Sequence, residues 1–228
     1  MLLENKIAVV YGAGSALGGA VARAFARERA YVFLAERDMA ALEPVASRIA
    51  EAGGVAEVAA VDPLDPRAVR AHIDEVTSWA GGPHILFNAV PLPRTTSTAL
   101  VDASVTELVD ALNRQVAAQL ITAQAAARQM TRSGSGVILT VSGTAWTGGG
   151  GTTGQDGAGL GDTVVEAMSD RLARELGDRG VRVVCLRSGM LAAPPAATGA
   201  SGARARSPLD VDLAAAAETI LLAAAGRG

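Results

Sequence analysis

Several residue types are scarce in this chain, and each scarcity excludes something. There is one cysteine, Cys185, so no internal disulfide can form. It lies in the apolar run Val181 to Leu186 and reads as a buried, inert thiol. Aromatic residues make up 3% of the chain, no basic run occurs, and the net charge is -3, which argues against nucleic-acid binding. No apolar run approaches the roughly 18 residues needed to cross a bilayer. The opening Met-Leu-Leu-Glu-Asn-Lys also lacks a signal-peptide pattern, so a cytoplasmic protein with no membrane partner is expected. The two histidines, His72 and His84, have no Cys, His or paired carboxylate at metal-ligand spacing, so no metal site is expected and both read as surface or boundary residues. Lysine occurs once, at Lys6, and tyrosine twice, at Tyr11 and Tyr31.

What is present is an alternation of short apolar runs with helical patterns over 228 residues, half of them hydrophobic. This predicts one α/β domain spanning 1–228, a Rossmann-like doubly wound parallel sheet in the order 3-2-1-4-5-6. Its organising stretch is residues 6 to 28. Ile7 to Val10 reads as a buried strand, Gly12, Gly14, Gly18 and Gly19 break the turn after it, and Val21, Ala22, Phe25 and Ala26 then recur at helical spacing. A strand that bends through glycines into a helix exposes unpaired N–H groups and the positive end of the helix dipole, which suits a pyrophosphate. Ser15, Ala16 and Leu17 complete the candidate cradle between Gly12 and Gly18. Glu36 follows the second strand, 18 residues beyond Gly18, where a carboxylate can accept both ribose hydroxyls and repel a 2′-phosphate. NAD is therefore expected over NADP, although Arg37 beside Glu36 could pair with that phosphate.

The glycine spacing is not G-x-G-x-x-G, since Leu17 stands where the third glycine would fall. It resembles the T-G-x-x-x-G-x-G turn of the short-chain dehydrogenase/reductase family, with Gly12 and Gly18 kept, Tyr11 in place of the threonine and Ala16 in place of the middle glycine. The resemblance runs over nearly the whole chain. It implies an adenine contact at Asp62, a cofactor contact at Asn88 in the place of the family's Asn-Asn-Ala-Gly, a relay asparagine at Asn113, and a catalytic serine near Gly143 that Ser142 would supply. Val90 replaces a loop glycine beside the expected cofactor, and residues 190 to 208 fall where the family has its substrate loop. The chain ends without the segment that forms the family's final strand, so six strands are expected. The resemblance also implies a homodimer or homotetramer through helices 104–131 and 162–177.

The family's chemistry uses a tyrosine and a lysine four residues later, and the sequence has no such pair. Anchoring on Gly180 to Val183 puts Ala158 at the tyrosine and Asp162 at the lysine, and the only tyrosines and the only lysine all precede the site. The expected function is a divergent, NAD(H)-binding oxidoreductase of a small molecule with a degenerate proton relay. Two alternatives stand beside it: a non-redox isomerase, cyclase or lyase that uses Asp156 or Asp162 as a base, and an inactive binding or partner subunit.

Overall fold

The structure, a computed structural model, describes residues 1–90, 100–142, 158–187 and 208–226. Strands and helices alternate: β1 (Ile7–Tyr11), α1 (Ala16–Arg27), β2 (Tyr31–Glu36), α2 (Glu43–Glu51), β3 (Val55–Ala60), α3 (Pro66–Ala80), β4 (Ile85–Asn88), α4 (Val105–Ser133), β5 (Gly136–Ser142), α5 (Ala158–Leu176), β6 (Val181–Arg187) and α6 (Pro208–Ala224). All strand pairs are parallel and the six-stranded sheet has the order 3-2-1-4-5-6, as the alternation predicts. The Gly- and Thr-rich stretch 144–161, which its composition predicts to be a loop, lies mostly outside the described residues, as does the segment 190–208 apart from the first residue of α6. No described helix is long and apolar enough to cross a membrane.

Central strands bury both faces, and the side chains they send up and down define two cores. On one face Val10, Leu34 and Phe87 pack with Val21 and Phe25 of α1 and Ile220 and Leu221 of α6. On the other, Val9, Phe33, Leu86 and Ile138 pack with Ile73 and Val76 of α3 and Ala126 and Met130 of α4. Parallel strands with helical crossovers bring every strand's carboxyl end to one edge, and the order reverses between β1 and β4, which opens a crevice there.

Element boundaries move where local chemistry dictates. The sequence pattern predicts a single helix over 39–52, but the structure has a 3-10 turn, Met39–Ala41, followed by α2, because Pro44 lacks an N–H and fits only in the first turn of a helix. The helix expected at 162–177 begins earlier, at Ala158. The spacing of Val105, Leu108, Val109, Leu112, Val116, Leu120 and Ala123 predicts a buried stripe along one helix, and α4 is rotated relative to it. Its inward face carries Ala111, Gln115, Ala118, Gln119, Thr122 and Ala126, while Val105 is 75% and Val109 46% exposed.

Candidate active site at the carboxyl edge of the sheet

The turn after β1 is held by its own atoms. Gly12 has φ +76°, and its N–H donates to Ala35 O at 2.9 Å. A Cβ there would lie 2.3 Å from Ala89 O, and one on Gly18 would lie 2.2 Å from Gly12 O, so neither position accepts a side chain. Ser15 caps α1: its Oγ accepts from Gly18 N at 3.0 Å and donates to Gly12 O at 2.7 Å. The hydroxyl is thereby engaged inside the turn. The N–H groups of Ala16 and Leu17 have no hydrogen-bond acceptor among the described residues, and Ala16 is exposed. Two free donors at the start of a helix, over a backbone that glycine keeps bare, fit a dinucleotide pyrophosphate.

Glu36 ends β2 half-buried, with Oε1 accepting from Arg37 N at 3.0 Å, and Asp62 follows β3 with Oδ1 accepting from Leu64 N at 2.9 Å. Each keeps its second carboxylate oxygen out of these local bonds, as ribose or adenine contacts require. Asn88 sits at the end of β4 but turns inward: it is 1% exposed and its Oδ1 accepts from Thr122 Oγ1 at 2.9 Å. Its Nδ2 is buried without a partner among the described residues. The next residues, Ala89 and Val90, press on Gly12 through their backbone, so β4 buttresses the turn.

The second half of the edge is built from side chains. Ser142, the last residue of β5, is buried, and its Oγ donates to Glu166 Oε1 at 2.7 Å. The other oxygen, Oε2, pairs at 2.9 Å with the guanidinium of Arg187, which ends β6 directly beside Ser142 in the strand register. Three residues beyond Glu166, Ser169 bonds Thr140 across 3.0 Å, so two polar rungs fasten α5 to β5. α5 also meets α4 closely: a Cβ on Gly161 would lie 2.1 Å from Gln115 Oε1.

These positions revise several expectations. Asn113 is exposed on α4, and the buried amide at the α4–α5 contact is Gln115. His72 is not a surface or boundary residue. It is 5% exposed in the core beneath α3, where its Nδ1 bonds Tyr11 Oη at 2.9 Å and its Nε2 has no partner among the described residues. Burial pushes its pKa down to about 4 and raises that of the Tyr11 phenol. His84 is half-buried as expected, its Nδ1 accepting from Ile7 N at 3.0 Å, with its pKa lowered first by burial and then by Lys6. Tyr31 and Lys6 lie at the opposite, amino edge of the sheet and line a cleft there of about 330 Å³. Asp156 lies outside the described residues, while Asp162 falls on α5 one turn before Glu166. Glu166 and Arg187 were not picked out from the sequence, although Glu166 stands four residues after Asp162 and so shares its helix face. Among the described residues no group of three His, Cys, Asp or Glu side chains is placed to hold a metal.

A fold of this topology with a bare glycine turn at the switch point is a dinucleotide-binding scaffold. The family model described as enoyl-(acyl carrier protein) reductase matches residues 12–218, and the chain belongs to the short-chain dehydrogenase/reductase family. It is 30% identical over 227 residues to an uncharacterized oxidoreductase of Staphylococcus aureus, covering 97% of this chain and 92% of that one. It is 32% identical over 145 residues to an uncharacterized oxidoreductase of Mycobacterium tuberculosis, a match that covers 62% of this chain and spans about half of the relative, 54%. Among solved structures, a metagenomic short-chain oxidoreductase in complex with NADP superposes with a TM-score of 0.76 at 24% identity, over 99% of this chain and 93% of that one. NAD⁺-bound xylitol dehydrogenase gives 0.72 at 23% identity, over 80% and 72%.

Proposed function

We propose that the chain binds NAD(H) and acts on a small molecule as a divergent oxidoreductase whose proton relay is not the family's tyrosine–lysine pair. The observation that carries the reading is the pair of free N–H groups at Ala16 and Leu17 over the bare Gly12–Gly18 contact. Glu36 at the end of β2 supports NAD over NADP, because a carboxylate there repels a 2′-phosphate. When bound, the dinucleotide would supply hydride chemistry. The chain's part is to hold the pyrophosphate at the start of α1, orient the ribose at Glu36 and manage a proton at Ser142.

Tyr11 is not available as the acid, since its hydroxyl is buried against His72, and Tyr31 is at the far edge of the sheet. Loss of a positioned general acid costs about 10² to 10⁴ in rate, so reduction of simple ketones is expected to be very slow. A second reading, a non-redox isomerase or lyase, is favoured by the carboxylate of Glu166 that faces Ser142. We also infer a dimer or tetramer through α4 and α5, supported by the exposure of Val105, Val109 and Leu160 on the single chain.

Calorimetry with NADH and NADPH tests the cofactor, with heat expected for NADH and less or none for NADPH. Heat from neither would defeat the reading. The A158Y/D162K double variant, which installs tyrosine and lysine one turn apart on α5, should gain NADH-dependent ketone reduction. If it gains none while the parent converts a substrate without cofactor, the non-redox reading replaces the first.

A further inference from the structure

The cleft between α3 and α4 is lined by three cations and no anion. Arg67 and Arg70 of α3 and Arg128 of α4 share a space of about 380 Å³ with the apolar side chains of Pro66, Ile121 and Ala125. All three arginines are exposed, and none forms a salt bridge among the described residues. Two neighbouring carboxylates are turned to other partners. Asp65 caps α3, its Oδ1 accepting from Arg67 N at 2.8 Å and Ala68 N at 3.3 Å, and Asp74 Oδ1 accepts from Gln129 Nε2 at 3.0 Å. The placement also runs against the helix: Arg67 lies in the first turn of α3, which holds no acidic residue and where the macrodipole already presents positive charge. Like charges gathered there repel one another, and an anion set between them would relieve the repulsion.

We propose that this cleft is a second ligand site, which takes a soluble phosphate monoester with a compact apolar or aromatic body. Its volume is in the range of small-molecule pockets. Guanidinium groups bind phosphate oxygens through paired N–H donors, and three of them suit the three terminal oxygens and double charge of a monoester better than the two oxygens and single charge of a carboxylate. Pro66, Ile121 and Ala125 have no side-chain group to hydrogen-bond and receive the apolar body, on which the arginine planes can also stack. The cleft lies on the opposite flank of α4 from its contact with α5 and shares no lining residue with the glycine turn, so its occupancy does not depend on the cofactor.

Calorimetric titration of the purified protein with phenyl phosphate, inorganic phosphate and phenol at low salt tests the site. Phenyl phosphate should bind with a millimolar or tighter Kd, and phenol should give no heat. Inorganic phosphate should bind about threefold to tenfold more weakly than the ester, because only the ester covers the apolar lining. R67Q, R70Q and R128Q keep a long side chain and a good helix former, and each should weaken phenyl phosphate about fivefold, the upper range for an exposed ion pair. NADH affinity should be the same in all three variants. Another readout needs no ligand: R67Q alone should raise Tm by about 1 to 3 °C, because it removes a cation from the positive end of α3. No heat with phenyl phosphate, equal affinity for inorganic phosphate, or a lower Tm in R67Q would overturn the proposal. An affinity for the ester unchanged in the three variants would place the phosphate at the glycine turn instead, and a parallel loss of NADH binding would make the cleft part of the cofactor site; either result defeats it. Sedimentation of the protein with phosphatidylcholine vesicles carrying phosphatidic acid would move the phosphate to a membrane surface and defeat it as well, so no co-sedimentation is expected.

Discussion

The two halves of the carboxyl edge are made of different materials. After β1, β2 and β3 the edge is mostly backbone: glycines packed carbonyl to Cα, two N–H groups without an acceptor among the described residues, and carboxylates whose nearest bonds are to their own loops. After β5 and β6 it is a chain of side chains, Ser142 to Glu166 to Arg187, drawn from two strands and a helix. A backbone site can be kept by conserving the space around it, while a side-chain site changes its chemistry with each substitution. That contrast lets the glycine turn after β1 stay as it is while the side chains after β5 and β6 vary.

The comparison can be broken most forcefully at Gly18. A G18A variant puts a methyl carbon 2.2 Å from Gly12 O, a backbone atom with nowhere to go. It should lose about 3 kcal/mol of stability or more, read by urea unfolding, and its NADH binding with it. An unperturbed G18A protein would mean that the turn is looser than its packing indicates.

A second comparison sharpens the first half by acid. His72 is neutral in the core, with a pKa near 4 against an ordinary 6.5, so between those values the unfolded chain takes up a proton that the folded chain refuses. The folded pKa is depressed, so this contribution is complete above pH 6.5 and is lost as pH falls towards 4, to a total of about 3 kcal/mol. Urea unfolding of wild type and H72L at pH 7, 5.5 and 4 should show a steeper acid loss in the wild type, and parallel curves would contradict it.

The smallest effect compares two amides on one helix. N113A should change stability by less than about 0.5 kcal/mol, because the side chain is exposed. Q115A should cost about 1 to 2 kcal/mol, because it empties a buried contact with α5. Thermal unfolding of the pair decides, and equal shifts would place Asn113 back among the packed residues.

That pair also shows where the sequence was readable. The sheet order and the glycine turn were legible because they are local: β-branched runs, glycines and helical spacing state them within about twenty residues. The rotation of α4 was not. Its valines suggested one buried stripe, but alanines line several faces of the helix, and the phase is set by what docks on it: Gly161, which leaves room for Gln115, and Asn88, which pairs with Thr122. His72 was misjudged for the same reason, since only its meeting with Tyr11, 61 residues away, makes a buried imidazole tolerable. The Ser142–Glu166–Arg187 chain joins three separate elements, so no window of sequence contains it.

Of the two outermost strands of the sheet, β3 and β6, it is β3 that shows large apolar side chains to the outside. β3 is the last strand of the sheet, its free edge is unpaired among the described residues, and its sequence Val-Ala-Glu-Val-Ala-Ala carries Val55 and Val58 at 49% and 36% exposure. The single charge in that run is Glu57, anchored by Tyr31 Oη at 3.1 Å. An apolar strand with open hydrogen-bonding groups is a template on which another chain can lay itself down, and a charge at its centre must be desolvated before that can happen. Glu57 thus guards the solubility of the folded chain, a task separate from ligand binding and invisible in any assay of the opposite edge.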